Sequence, residues 1–298
     1  MTLSTVTFHA AWGQKQHNLN RILGYIDAAA DHGSNFVIFP EMALTGYDDQ
    51  PEKAFHDKMQ YKEAETIPGP STNKIEEEAI KKHIYVVVGM PERDQNDFET
   101  LYNSIAIFTP EGLAGSYRKM QPHDDEPNWC SRGGKPFLLE TPWGLIGCEI
   151  CYDIYCLPEL RRYYTAKGAR LVINSTALAH VHGRQLGTTT LESGVLQDGI
   201  YIASSNLGGI DLINNFWGGS SIMGPSQNPY EVHYYAGKRF TDLGANESRM
   251  YTATIDLNLA TRFPFIKNPK IGSSDWRPDK YLEMLKDVLN IKNSPAGK

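Results

Sequence analysis

GLIGCEICYDIYCLPELRR, residues 144–162, is the stretch from which the rest of the chain can be read. The apolar run Leu145 to Ile150 has the composition of a buried strand. Pro158 suits the first turn of a following helix and Gly168 its far end, with Glu159 and Arg162 one turn apart and expected to form a structural ion pair. Cys148, Cys151 and Cys156 fall within nine positions, and Cys130 is the one other cysteine of the chain. A structural zinc site would need about four ligands, and no second pair stands at matching spacing. A redox pair would need both sulfurs on one side at a helix start, whereas Cys148 and Cys151 are three residues apart along an extended run and point oppositely. Cys148 reads as buried packing, and Cys156 fits packing or exposure equally. Cys151 stands where the strand ends, the edge at which open α/β sheets bind ligands.

Outward from this stretch, β-branched and apolar runs recur at 35–39, 84–88, 104–108, 170–173, 200–204 and 250–255. Helical patterns separate several of them, at 18–32, 72–82, 157–167 and 188–197, which indicates layered α/β architecture. Asn18 is a candidate cap for the first helix, Leu19, Ile22 and Ile26 give it an apolar face, and Gly33 stops it. No linker or solenoid repeat interrupts the 298 residues, so one domain spanning 1–298 is the simplest organisation, with an extension from about 278 and a frayed tail from about 291.

A formal net charge of −6 without dense runs of either sign argues against a nucleic-acid track or an anionic membrane surface. The amino terminus lacks a cationic segment and breaks its apolar pattern at His9 and Gly13, and no run approaches the ~20 residues that span a bilayer. A soluble, cytoplasmic protein with reduced thiols is expected.

A free thiol, with a pKa of about 8.5, needs activation to attack at neutral pH. Glu41 directly follows the strand-like NFVIFP, and Lys119 closes GSYRK; each charge ends an otherwise apolar or aromatic segment. Together with Cys151 they supply a base, an oxyanion-stabilising cation and a nucleophile, and the backbone N–H of Tyr152 offers a second oxyanion donor. Two alternatives stay open on the residues alone: a Cys-His hydrolase or acyltransferase using His123, His180 or His182, and a binding protein without turnover.

FPEMALTGY (39–47), YRKMQPHDDE (117–126) and ICYDIYCLPELRR (150–162), in this order, resemble the three signature segments of the nitrilase, or carbon–nitrogen hydrolase, superfamily. The segment 67–93, the YNS of 102–104, FWGGSSIMGP (216–225) and IDL (255–257) agree, so the resemblance runs from about residue 4 to residue 281. It implies an α/β fold, a four-layer α-β-β-α sandwich, with Glu41 as general base, Lys119 as transition-state stabiliser and Cys151 as nucleophile. It also implies a second glutamate after the lysine; Glu126 is the candidate, with Asp124 and Asp125 close by. Pairing of sandwiches through helices near the nucleophile, to a homodimer or larger homo-oligomer, is a further implication, with LRRYY (160–164) a candidate contributor.

Departures bear on substrate. Leu157 occupies the usual aromatic position before Pro-Glu, and NSTALAH (174–180) replaces the usual proline after its strand. Cys151-Tyr152-Asp153 resembles amidases and carbamoylases more than nitrilases, which favours a small linear amide or N-carbamoyl substrate, with water as co-substrate, over a nitrile. Trp129, Ser175, Thr176, His180 and Asn206 are the candidate substrate contacts. The pattern implies no metal, nucleotide or other cofactor.

Overall fold

Side chains on successive strand residues face opposite ways, and here both faces of each sheet are apolar. The computed structural model describes residues 1–228 and 230–292. Its first sheet contains β1 (Thr2–Thr7), β2 (Phe36–Ile38), β3 (Tyr85–Arg93), β4 (Leu101–Thr109) and β5 (Gly112–Arg118). The second contains β6 (Phe137–Thr141), β7 (Gly144–Ile150), β8 (Leu171–Thr176) and β9 (Tyr201–Asn206). After a small hairpin of β10 (Gly208–Ile210) and β11 (Asn215–Trp217), β12 (Ser221–Pro225) and β13 (Val232–Gly237) extend the second sheet, and β14 (Arg249–Thr254) returns to the first. The orders are β14-β1-β2-β3-β4-β5 and β13-β12-β9-β8-β7-β6, six strands each. β1, β2 and β3 run parallel, as do β7, β8 and β9, while the outer strands pair antiparallel.

The helices are α1 (Lys15–Asp31), α2 (Met59–Glu63), α3 (Pro70–Lys82), α4 (Tyr152–Cys156), α5 (Glu159–Lys167), α6 (Arg184–Asp198) and α7 (Pro278–Lys292). Three apolar interfaces stack the layers. Val37, Val86 and Val88 meet Ile22, Ile26, Ile75 and Ala79 of α1 and α3 on one side. Their strand neighbours Phe36, Ile38 and Val87 face the second sheet, where they join Ile146, Cys148, Ile150 and Ile173. Val172 and Ile202 then face Tyr164 of α5 and Leu191 and Val195 of α6. The result is the expected α-β-β-α sandwich, and each fully buried Val or Ile in it contributes about 1.5–3 kcal/mol of apolar transfer.

The core strands and helices lie within a few residues of their expected places. Asn18 is a correction: α1 begins at Lys15, so Asn18 lies inside it. Its amide instead accepts from the Ala11 N–H at 2.9 Å and donates to the Ala11 and Leu44 carbonyls at 2.8 and 3.2 Å, pinning the loop after Glu41 to the helix. The Glu159–Arg162 ion pair is also corrected. Arg162 turns toward Asp198, 3.5 Å away, because that carboxylate lies at the end of the adjacent α6. Cys148 is buried between the sheets, whereas Cys156 is exposed. The extension from 278 is α7, whose helix includes residues 291 and 292; the rest of the expected frayed tail, 293–298, lies outside the described residues. No described helix is long and apolar enough to cross a membrane.

Candidate active site

Glu41 is delivered by the end of β2. The chain there passes so close to β3 that a side chain on Gly89 would come within 2.3 Å of the Pro40 carbonyl and 2.6 Å of the Glu41 Cα, so glycine is what lets the acid sit where it does. Lys119 follows β5, with its N–H donating to the Asn103 carbonyl of β4 at 2.8 Å. Cys151 follows β7 from the opposite sheet, at φ 48° and ψ −102°, a conformation that costs a non-glycine residue energy and persists only where neighbours impose it. Its N–H donates both to the Ser175 carbonyl and to Asn174 Oδ1, each at 3.1 Å.

Lys119 Nζ donates to Glu41 Oε1 and to Glu126 Oε1, at 2.8 Å each, and all three side chains are at most 2% exposed. Asn103 Nδ2 bridges the same two oxygens at 2.7 and 3.0 Å. Glu126 is held further by the Tyr47 hydroxyl at 3.0 Å and the His123 N–H at 2.8 Å. Tyr47 is itself placed by Asp211, whose carboxylate accepts from the N–H groups of Tyr47 and Asp48 at 2.6 and 2.9 Å. Every oxygen of the two glutamates is thus engaged except Glu41 Oε2, which is buried without a partner among the described residues.

The electrostatics follow from this crowding. Burial, assisted by the neighbouring Glu126 and opposed by Lys119, raises Glu41 to about 7. Burial also opposes the Lys119 charge, but Glu126 and Glu41 outweigh it and hold the ammonium well above lysine's ordinary range. Burial and then the Glu41 carboxylate push the Cys151 thiol up, against Lys119, the Thr176 hydroxyl and the Ala177 N–H, which favour the thiolate. The resting proton therefore belongs on sulfur, with a carboxylate of near-neutral pKa placed to take it. The Tyr152 N–H, first in α4, has no backbone or side-chain acceptor among the described residues, as an oxyanion donor requires.

With this geometry, the comparisons with known proteins agree on family. The model of the carbon-nitrogen hydrolase family matches residues 3–265. The chain belongs to that family, within the nitrilase superfamily. It is 30% identical to the omega-amidase of Xenopus tropicalis over 253 residues, covering 81% of this chain and 86% of that one. It is 27% identical to a probable nitrilase of Schizosaccharomyces pombe over 273 residues, covering 91% and 93%. The amidase from Nesterenkonia sp. AN1 shares the fold, with TM-score 0.75 at 20% identity over 95% of this chain and 99% of that one. The chain is accordingly an amidase-like carbon–nitrogen hydrolase.

The five candidate substrate contacts fare differently. Ser175 Oγ donates to the Phe39 carbonyl at 2.8 Å, tying the strand that leads to Glu41 to the residue whose own carbonyl holds Cys151. Asn206 spends its amide on Leu178 N–H and on the Leu178 and Gly218 carbonyls, at 2.8, 3.4 and 2.7 Å. Trp129 is packed with Met42, Leu101 and Cys130. Ser175 and Asn206 are corrections, because their polar atoms are committed to the scaffold; the Trp129 ring is packed, but its Nε1–H has no partner among the described residues. Thr176 lies beside the sulfur. His180 is exposed and stacks on Trp217, with ring centroids 3.6 Å apart.

Of the histidines weighed as bases, His123 stacks on Tyr152 at 4.2 Å and lies 5.4 Å from His182, and no imidazole hydrogen-bonds to Cys151 among the described residues. Asn103 and Tyr47 are the residues that sequence reasoning missed. Both lay in quoted segments, YNS and FPEMALTGY, but an amide and a phenol carry no chemical signal until the acids they bridge are in view.

Proposed function

We propose that the protein hydrolyses a small linear amide or N-carbamoyl compound through a thioester on Cys151. The observation that carries this reading is Glu41 Oε2, buried with no partner among the described residues on a carboxylate whose other oxygen is fixed by Lys119 and Asn103 and whose charge acts on the Cys151 thiol. Glu41 takes the Cys151 proton as sulfur adds to the carbonyl carbon. Lys119 and the Tyr152 N–H hold the resulting oxyanion in a site from which water is largely excluded. Collapse breaks the C–N bond, Glu41 returns its proton to the departing nitrogen, and ammonia or an amine leaves. Water then attacks the thioester with Glu41 as base, releasing acid and restoring the thiol. Glu126 holds the Lys119 ammonium at 2.8 Å alongside Glu41, which restricts where the cation can sit.

Supporting an amide over a nitrile is the Cys151-Tyr152-Asp153 sequence, together with the omega-amidase relatives. A solved structure of the Nesterenkonia amidase, similar in fold at TM-score 0.76, carries the acetamide moiety of fluoroacetamide on its active-site cysteine. The test is mass spectrometry of the protein quenched during turnover of an amide and carbamoyl panel. An acyl mass on the Cys151 peptide is expected, and a Cys151→Ala variant that retains turnover would sink the mechanism.

A further inference from the structure

We propose that Asp153 is a positioning residue that sets the separation of Lys119 from Cys151 by clamping the Lys119 segment onto the first turn after the nucleophile. Asp153 is the second residue of α4, and it is buried with 1% exposure. Its carboxylate collects three donors from one short stretch of the other sheet. The Tyr117 hydroxyl reaches Oδ2 at 2.7 Å, the Met120 N–H reaches the same oxygen at 3.4 Å, and the Gln121 N–H reaches Oδ1 at 3.0 Å. These donors flank Lys119 on both sides, so the carboxylate grips the chain before and after the ammonium-bearing residue.

The grip matters because the two groups it joins come from different sheets. Lys119 is anchored to its own sheet through Asn103 and to the loop before β6 through the Gly133 N–H, and Cys151 to its own sheet through Ser175 and Asn174. Neither set of bonds fixes one group against the other. Apolar packing between the sheets is non-directional and tolerates small slides, and the Ser175–Phe39 bond ties down the Glu41 strand rather than the Lys119 segment, whereas three hydrogen bonds converging on one rigid carboxylate hold that segment itself. Tyr117, 1% exposed in the inter-sheet core, makes the strongest of these bonds and donates to no other group among the described residues. A misplacement of about 1 Å at such a site can cost about 100-fold in rate, so a residue that never touches substrate can govern turnover.

This inference rests on the proposed role of Lys119, and the experiment separates the two. Asp153→Asn keeps the shape and one acceptor but loses the charged grip on Tyr117 and Met120; Tyr117→Phe removes the hydroxyl alone. Both are compared with the parent and with Lys119→Met by kcat per titrated cysteine site, KM, and the pH profile of Cys151 alkylation by iodoacetamide. Asp153→Asn is expected to lower kcat about 10- to 100-fold with KM within about threefold, and to move the alkylation midpoint to higher pH as the cation recedes from the sulfur. Tyr117→Phe should shift both readouts the same way by less. A purely structural role would lower the melting temperature and leave both readouts at parental values, and that result in a folded Asp153→Asn overturns the inference. Should Asp153→Asn not fold, parental kcat and alkylation in Tyr117→Phe overturn it equally. If Lys119→Met itself keeps the parental profile and turnover, the catalytic reading of Lys119 has failed, whatever Asp153 does.

Discussion

Two clusters of buried charge lie on either side of the second sheet, and they are built from similar parts. Around the sulfur, one lysine serves two glutamates at 2.8 Å. Beneath α5 and α6, Arg161 Nε binds Asp198 at 2.7 Å, Arg162 lies 3.5 Å from the same carboxylate, and Glu149 is buried nearby with both oxygens unpartnered. Each cluster holds an acid that burial pushes up, Glu41 in one and Glu149 in the other. Burial, an ion pair and an orphaned carboxylate oxygen therefore do not identify a catalytic site by themselves. What separates the clusters is position. The first lies past the carboxyl ends of β2 and β7, with Cys151 against it, while the second is packed between the interior of β7 and the helices.

Changing one residue in each cluster gives the sharpest contrast. Glu41→Gln removes the base but keeps the volume and a carbonyl oxygen for Lys119, and is expected to lower kcat/KM about 1,000-fold with the melting temperature held or raised. In the parent, kcat/KM should climb as pH rises through about 7, because Glu41 accepts a proton only once it has lost its own, and the variant should lack that limb. A parental profile that is flat from pH 6 to 8, with chemistry confirmed as rate-limiting, would remove Glu41 from the role of base.

Arg161→Met should do the opposite. It leaves Asp198 buried without its partner at 2.7 Å, a change that costs about 3–5 kcal/mol of stability. Turnover per folded molecule should stay within about threefold of the parent, since no group that meets the substrate is moved. Urea unfolding and site-normalised kinetics measure the two quantities. A large loss of turnover in fully folded Arg161→Met would mean that the clusters communicate through α4 and α5, and the contrast would collapse.

How much of this was readable beforehand follows the same division. The three catalytic candidates stood out because each is a charged or nucleophilic residue ending an apolar segment, and the end of a strand is legible from composition. The sandwich was legible through resemblance, with the strand runs giving only the α/β class. Asp198, Glu149 and Arg161 carried no such mark. Arg162 was expected to pair with Glu159 because a helix places them one turn apart, yet the partner it found lies 36 positions along the chain, on another helix. Ser175 and Asn206 were expected to face substrate, but Ser175 fastens one sheet to the other and Asn206 ties together the loops that follow β8 and β11, and a single sequence does not say which task a hydroxyl or amide performs.

The smallest effect on turnover belongs to Glu149→Gln. Burial, then the Asp153 and Asp198 charges, hold the Glu149 carboxyl well above its ordinary value against the pull of Arg161, and the absence of a donor to either oxygen among the described residues favours the neutral form. Replacing a neutral acid by a neutral amide of similar size should alter stability by less than about 1 kcal/mol at pH 4, below the unfolded pKa of the acid, and leave turnover unchanged. The difference emerges with pH. A carboxyl raised in the folded state contributes stability that is present in full below its unfolded pKa, near 4.3, and is lost as pH climbs through the folded value. The parent should therefore lose more unfolding free energy than the variant as pH rises from about 4. Parallel urea-derived stability curves for the two proteins would place that proton elsewhere, and the second cluster would then hold an ionised glutamate with no hydrogen-bond donor, which the desolvation cost of a buried carboxylate argues against.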